Sequence, residues 1–272
     1  ILTLTGLVSA TVLLTSYRFG KSTMQSMSER AASNTTSLLQ ERLKHYFHDG
    51  IQALETYDMR LQDGVKTREE ADRTARAFLN GLQHYRSVRY LSYGDLDGRF
   101  VGATRDPSGR HLYLLKDEST QGALLTYAGS PSKARDDVVR IRQGYDPRER
   151  RWFQLALDSM GTTWTDIYAS STVPGAVLMT AVKPVNGPEG RVIGVVGADV
   201  SLRGADDILR QSVDGVLGTA FIIDSNGLLV ASSTATKALR VDTQGRLVRI
   251  EAAGSSDPAV RDAARALVER YG

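Results

Sequence analysis

A chain of 272 residues with 41% hydrophobic and 24% charged residues can build one large folded unit or two smaller ones without covalent staples. The absence of cysteine excludes disulfides, thiolate metal sites and cysteine nucleophiles. The net charge of +3 comes from scattered Lys and Arg, with no basic block interleaved with aromatics of the kind that nucleic-acid binding needs.

Residues 1–16 carry no charge and are mostly Leu, Val, Ile, Ala and Thr. As a helix they span roughly 24 Å, short of the ~30 Å hydrocarbon core of a bilayer. Residues 1–17 are read as the end of a transmembrane helix, with a signal-peptide remnant or a buried core helix as the alternatives. From Tyr17 to about Gln62, apolar residues at Leu39, Leu43, Tyr46, Phe47, Gly50, Ile51 and Leu54 draw one helical face. Gly64 suits a stop. Thr67-Arg68-Glu69-Glu70 has the spacing of a capping box and opens a second helix to about Leu82. Residues 18–84 therefore read as a long helix with a companion, a pattern shared by signalling stalks and ordinary amphipathic helices.

The period changes after Tyr85. Val88–Tyr93 alternates as a half-buried strand, Asp95-Leu96-Asp97-Gly98 is a turn, and Arg99–Thr104 returns. His111–Leu115 and Gly122–Tyr127 add two short strands, and Ser130–Arg142 reads as loop. A short helix is expected from Pro147 to about Met160. Strands follow at Thr163–Tyr168, Val177–Val185 and Arg191–Asp199, the last two joined by a turn at Asn186–Gly190. The sum is an α+β fold, an antiparallel sheet with helices to one side. A helix at about Gly204–Ser212 leads to a second hairpin, Thr219–Asp224 and Leu228–Ser232, that repeats the Asp-spacer-Asp/Asn-Gly pattern of the first. Two such hairpins, each opening a strand-rich module, suggest a duplication. The second module, residues 203–272, ends in a helix from about Pro258 and is expected to be incomplete.

Tyr145-Asp146-Pro147-Arg148-Glu149-Arg150-Arg151-Trp152-Phe153 is the most informative segment. Asp146 can cap a helix, Pro147 suits its first position, and Glu149 falls where a capping box wants an acid. Arg150 and Trp152 then project near the helix start, where free N–H groups favour an anion. A solvated charged turn with Trp152 in the core fits the same spacing. The nonapeptide resembles the Y-D-P-R-x-R-P-W-Y motif of the double Cache family of extracytoplasmic sensors. Gly194–Leu202 is similar to that family's closing distal strand with an acid at its end.

The resemblance implies a membrane helix, a stalk helix and two PAS-like modules, the membrane-distal one spanning residues 85–202. It also implies a small-molecule ligand (an amino acid, amine or carboxylate) held by Tyr145, Arg150 and Trp152 at its carboxylate, and by Tyr168 and Asp199 at its ammonium. Phe153 stands where the family has a second tyrosine and is expected to supply an apolar or cation–π wall. Asp199 as a mere strand-end or capping residue stays open. The resemblance further implies a location at the bacterial inner membrane with this region outside the cytoplasm, and a homodimer formed through the stalk. The output domain would be a histidine kinase, a cyclase or a chemoreceptor module. The rival reading is a periplasmic protein-interaction or structural module with no small ligand, its cavity collapsed around Trp152 and Phe153.

No enzyme is expected, because no converging nucleophile, acid and base can be assembled. No cofactor is implied. His45 and His48 lack a carboxylate to complete a metal site, and Asp95/Asp97/Gly98 lacks the later bidentate Glu of a calcium loop.

Overall fold

The computed structural model describes residues 22–131, 137–170, 176–214, 218–242 and 247–271. The expected membrane segment at residues 1–17 lies outside them. Among the described residues, no helix is long and apolar enough to cross a membrane. The chain divides into two compact units. One comprises the described residues of Phe47–Pro174 and Leu178–Ser201; the other comprises the described residues of Ile1–Tyr46, Gly175–Val177 and Leu202–Gly272.

The long helix α1 runs Ser22–Leu61 and α2 runs Arg68–His84. The α2 start is set by the capping box. Thr67 Oγ1 accepts from Glu70 N at 3.2 Å, and the Glu70 carboxylate accepts from the backbone N–H of Thr67 at 2.9 Å and Lys66 at 2.8 Å. Thr67→Ala removes one half of this exchange and should lower stability by about 1 kcal/mol, readable as a lower denaturation midpoint at unchanged slope. The apolar stripe expected to let α1 pair with a second copy is largely turned inward: Leu39, Leu43 and Leu54 are fully buried.

The sheet unit is built on nine strands. In chain order they are β1 Val88–Asp95, β2 Phe100–Arg105, β3 His111–Lys116, β4 Leu124–Ala128, β5 Val138–Arg142, β6 Thr163–Trp164, β7 Tyr168–Ala169, β8 Val177–Asn186 and β9 Val192–Ser201. They are ordered β5-β4-β3-β2-β1-β9-β8-β6, with β7 also against β8. β5 replaces the expected loop. Its Arg140 pairs with Thr126 and its Arg142 with Leu124, and its side chains are mostly exposed because it is an edge strand. The expected strand Thr163–Tyr168 is interrupted between β6 and β7.

Period-two alternation sorts the sheet's two faces. Leu91, Tyr93, Val101, Ala103, Tyr113 and Tyr127 are buried on the face where α2 packs through Ala75, Phe78, Leu79 and Leu82. Tyr90, Ser92, Phe100, Leu114 and Leu124 point the other way. A short helix α3, Arg151–Ser159, packs on that second face through Phe153 and Ala156 against Val182 and Val195. Helices therefore cover both faces, not one side as the sequence suggested.

The second unit contains α4 Leu202–Ser212, the hairpin β10 Phe221–Ile223 with β11 Leu229–Ser232, the short pair β12 Leu239–Val241 with β13 Leu247–Arg249, and α5 Pro258–Tyr271. Its core joins Phe221, Leu229, Ala252, Val260 and Ala264. The two matching hairpins share one device. Asp95 Oδ1 accepts from Arg99 N at 2.8 Å and Asp224 Oδ1 from Leu228 N at 3.0 Å. Each following glycine, Gly98 and Gly227, takes a positive φ (85° and 71°) that other residues resist. Asp106 and Gly109 close the β2–β3 turn in the same way, so the motif is a local hairpin solution and is weaker evidence of duplication than its spacing suggested.

Candidate functional site

A cavity of about 270 Å³ opens on the sheet face opposite α2. Its position follows from register. Asp199 on β9 is flanked by Tyr90 on β1 and Thr180 on β8, and Gly197 by Ser92 and Val182. Gly197 leaves room above the sheet: a Cβ there would sit 3.1 Å from Ser92 Oγ and 3.5 Å from Trp152 Cε3. The indole of Trp152 can therefore lie close to the strand. Phe100, Leu114, Leu124 and Tyr145 form an apolar cluster against which Tyr90 and Trp152 pack. Phe100 meets Tyr145 and Trp152 edge-on at 5.2 and 6.4 Å between centroids. The stretch between β6 and β7 supplies Thr165 and Ile167, and β7 supplies Tyr168.

The helix start differs from the expected cap. Asp146 accepts from Arg148 N at 2.9 Å and caps a single 3₁₀ turn, Pro147–Glu149, and α3 begins only at Arg151, after Arg150 in an extended conformation. This kink separates the fates of the three arginines. Arg148 is held by Asp146 at 2.6 Å, which keeps that carboxyl at about 2. Arg151 pairs with Asp166 at 2.6 Å in an exposed bridge. The Arg150 side chain lines the cavity with no hydrogen-bond or salt-bridge partner among the described residues.

The opposite pole is a relay. Thr180 Oγ1 donates to Asp199 Oδ1 at 2.7 Å, so the Tyr168 hydroxyl, 2.6 Å from Thr180 Oγ1, donates to that oxygen in turn. Asp199 shows part of its surface to the cavity, yet the surrounding protein encloses it. Burial raises its carboxyl to about 6, while the hydrogen bond from Thr180, backed by Tyr168, pulls the other way. Burial also pushes the Tyr90, Tyr145 and Tyr168 hydroxyls up, so all three are neutral at ordinary pH. The Arg150 charge opposes that rise at Tyr145 and Tyr168, the signature of a cation near both.

Of the six expected site residues, Tyr145, Arg150, Trp152, Tyr168 and Asp199 line this one cavity. Phe153 does not. It is 1% exposed and packs with Ala156, Val182 and Val195. Consecutive helical residues point about 100° apart, so when Trp152 turns toward Phe100 its neighbour is driven onto the sheet. The expectation that Phe153 forms a cavity wall is corrected. Reading the sequence also missed Tyr90, Ser92, Thr180 and Arg142. The alternation of β1 marks Tyr90 and Ser92 as one face, but nothing local ties Thr180 to Asp199 before the register is known. Arg142, whose guanidinium lies 5.2 Å from the Tyr145 ring centroid, was hidden by reading β5 as loop. Groups of three or more His, Cys, Asp or Glu fit to hold a metal do not occur among the described residues.

A family model for the Cache domain matches residues 20–264. The chain belongs to the Cache domain family. Among curated relatives, the methyl-accepting chemotaxis protein McpA of Pseudomonas putida is 34% identical over 117 residues, 42% of this chain and 18% of that protein. PctB of Pseudomonas aeruginosa, also a methyl-accepting chemotaxis protein, is 34% identical over 155 residues, 56% of this chain and 24% of that one. The chain thus spans a quarter or less of the length of these relatives. Two solved structures share the fold. One is a methyl-accepting chemotaxis protein X, at TM-score 0.57 and 12% identity over 92% of this chain and 85% of that one. The other is the ligand-binding domain of the Pseudomonas aeruginosa amino-acid chemoreceptor PctC in complex with GABA, at TM-score 0.50 and 17% identity over 77% and 75%. As a Cache domain, the chain is a sensor module for signal transduction, and its α+β architecture is the one expected from the order of strands and helices.

Proposed function

We propose that this Cache domain binds a small zwitterion, an amino acid or a close analogue, and acts outside the cytoplasm as the input of a bacterial membrane receptor. One observation carries the reading. Of three arginines in the nonapeptide, Arg148 and Arg151 are neutralised by their own aspartates, and Arg150 alone faces the cavity unpaired, opposite the enclosed carboxyl of Asp199. A guanidinium offers a carboxylate two parallel hydrogen bonds, and an enclosed carboxylate calls for a cationic partner. Tyr145, Trp152, Phe100 and Tyr90 provide the aromatic walls between the poles. The chemotaxis relatives favour the same reading, and PctC is itself described as an amino-acid chemoreceptor.

Transmission follows from the roof of the cavity. Thr165 and Tyr168 line it, and the adjoining Trp164 packs edge-on against Phe47 of α1 at 6.0 Å. A ligand that draws in the stretch between β6 and β7 therefore bears on α1, which needs only a difference in ligand affinity between two states of the receptor. Pairing of two copies along α1 belongs to the same proposal; Leu38 and Met59, 57% and 69% exposed, are large apolar residues that the helix leaves uncovered.

A thermal-shift screen of the twenty amino acids with matched amines and organic acids tests the reading. Saturating amino acid at about 100 times its Kd should stabilise the domain by about 2.7 kcal/mol, a rise of several degrees in Tm. A flat response across all three classes would overturn it.

A further inference from the structure

We infer that the sheet face carrying the ligand cavity continues into a second subsite, for an anionic group on an apolar chain, at Arg105, Arg140 and Arg142. A separate cavity of about 220 Å³ lies where β2, β3, β4 and β5 run past the ligand cavity. Register places its lining. Thr104 pairs with Leu112 and Thr126 with Arg140, while Leu124 pairs with Arg142, so these side chains share one face of the twisted sheet. Leu112, Leu114, Leu124 and Val139 make the walls apolar.

The charge of this cavity is one-sided. Its three guanidiniums have no salt bridge among the described residues, and Arg105 Nε is enclosed without a hydrogen-bond partner. Asp106 is the only carboxylate in the lining. Its oxygens are already taken by the backbone and side chains of Ser108 and Arg110, at 2.6–3.1 Å. Like charges gathered against apolar walls repel one another, and a carboxylate or phosphate bound among them relieves that repulsion. Arg142 belongs to both cavities and lies over the Tyr145 ring, so it forms the partition between them.

Distance separates the two sources of such an anion. Five strand intervals lie between Asp199 on β9 and Arg140 on β5, roughly 24 Å along the sheet. A free amino acid held at Asp199 cannot also reach Arg140. The anion is therefore either the far end of an extended peptide of about seven residues or a second small molecule. The inference shares Arg142, Leu114 and Leu124 with the proposed ligand site but rests on Arg105 and Arg140, which that site does not use.

Calorimetric titration of the whole chain with L-alanine, glutarate and the heptapeptide Ala-Ser-Ala-Ser-Ala-Ser-Glu tests it, in the wild type, in Arg105→Gln/Arg140→Gln and in Arg140→Gln alone. The single variant alters only an exposed edge-strand position, so it guards against loss of folding. Glutarate weakened at least 10-fold by the double variant, and still bound when L-alanine is saturating, assigns a separate anion site. The heptapeptide weakened by the double variant and also competing with L-alanine assigns an extended ligand. Alanine affinity should be unchanged in both variants. If neither anionic probe binds, or both bind wild type and variants equally, the inference is overturned. Glutarate binding that depends on these arginines while no amino acid binds at all would sustain it and sink the zwitterion reading instead.

Discussion

Arg150→Ala is expected to weaken binding of a carboxylate-bearing ligand by about 30-fold or more, because truncating one partner of an enclosed charge pair costs roughly 2–5 kcal/mol. Arg150→Lys should recover only part of the loss, since an ammonium is a point charge and cannot present two parallel N–H donors. Asp199→Asn should act on the other end. Asparagine can still accept from Thr180 through its carbonyl, so the Tyr168–Thr180 relay survives while the negative charge is lost. Calorimetry with three related ligands separates the poles: an amino acid, the amine left on removing its carboxylate, and the acid left on removing its amine. Arg150→Ala should abolish the advantage of the amino acid over the amine, and Asp199→Asn its advantage over the acid. Wild-type affinity for the amino acid in both variants would remove the site assignment. An amine lost on Asp199→Asn but indifferent to Arg150→Ala would make the ligand an amine.

The parts of this site legible in the sequence are those coded locally. Asp146-Pro147 marks a turn whatever the tertiary context, and the alternating strands and the Asp-Gly hairpins are short-range statements. What the sequence hid is set by pairing across the sheet. Thr180 matters because it lies opposite Asp199, nineteen positions away, and one residue of slip would turn it to the other face. Phe153 was misplaced for a related reason: motif spacing names neighbours in sequence, but the break between the 3₁₀ turn and α3 decides which of Trp152 and Phe153 faces the cavity. β5 looked like loop because Val138–Arg142 lacks buried apolar positions, and an edge strand with charged side chains does not need them.

Ligand affinity should fall with acidity in a way that reports on Asp199. With its carboxyl raised to about 6 in the unliganded domain, the group is mostly ionised at pH 7.5 and mostly protonated at pH 5. A ligand ammonium requires the ionised form, so below pH 6 binding must first expel a proton. Affinity for an amino acid should be nearly flat above pH 7 and drop about tenfold per unit below pH 5.5. The tyrosines around the carboxyl do not titrate in this window, since burial pushes all of them upward.

Stability without ligand runs in the opposite sense. A carboxyl raised from 3.8 to about 6 binds its proton more tightly when folded. Its stabilisation is complete below the unfolded value and is lost as pH rises through 6. The ligand-induced rise in Tm should consequently be larger at pH 7.5 than at pH 5, even though the empty domain gains from acid. Asp206 on α4 supplies the control. Its carboxyl is also raised to about 6 by burial, but it lies in the second unit, where it accepts from Ser232 N, and is not part of the cavity. Asp206→Asn should change the pH dependence of stability and leave that of affinity as it was. An affinity profile flat from pH 7.5 to 5 would show that Asp199 does not hold a cation.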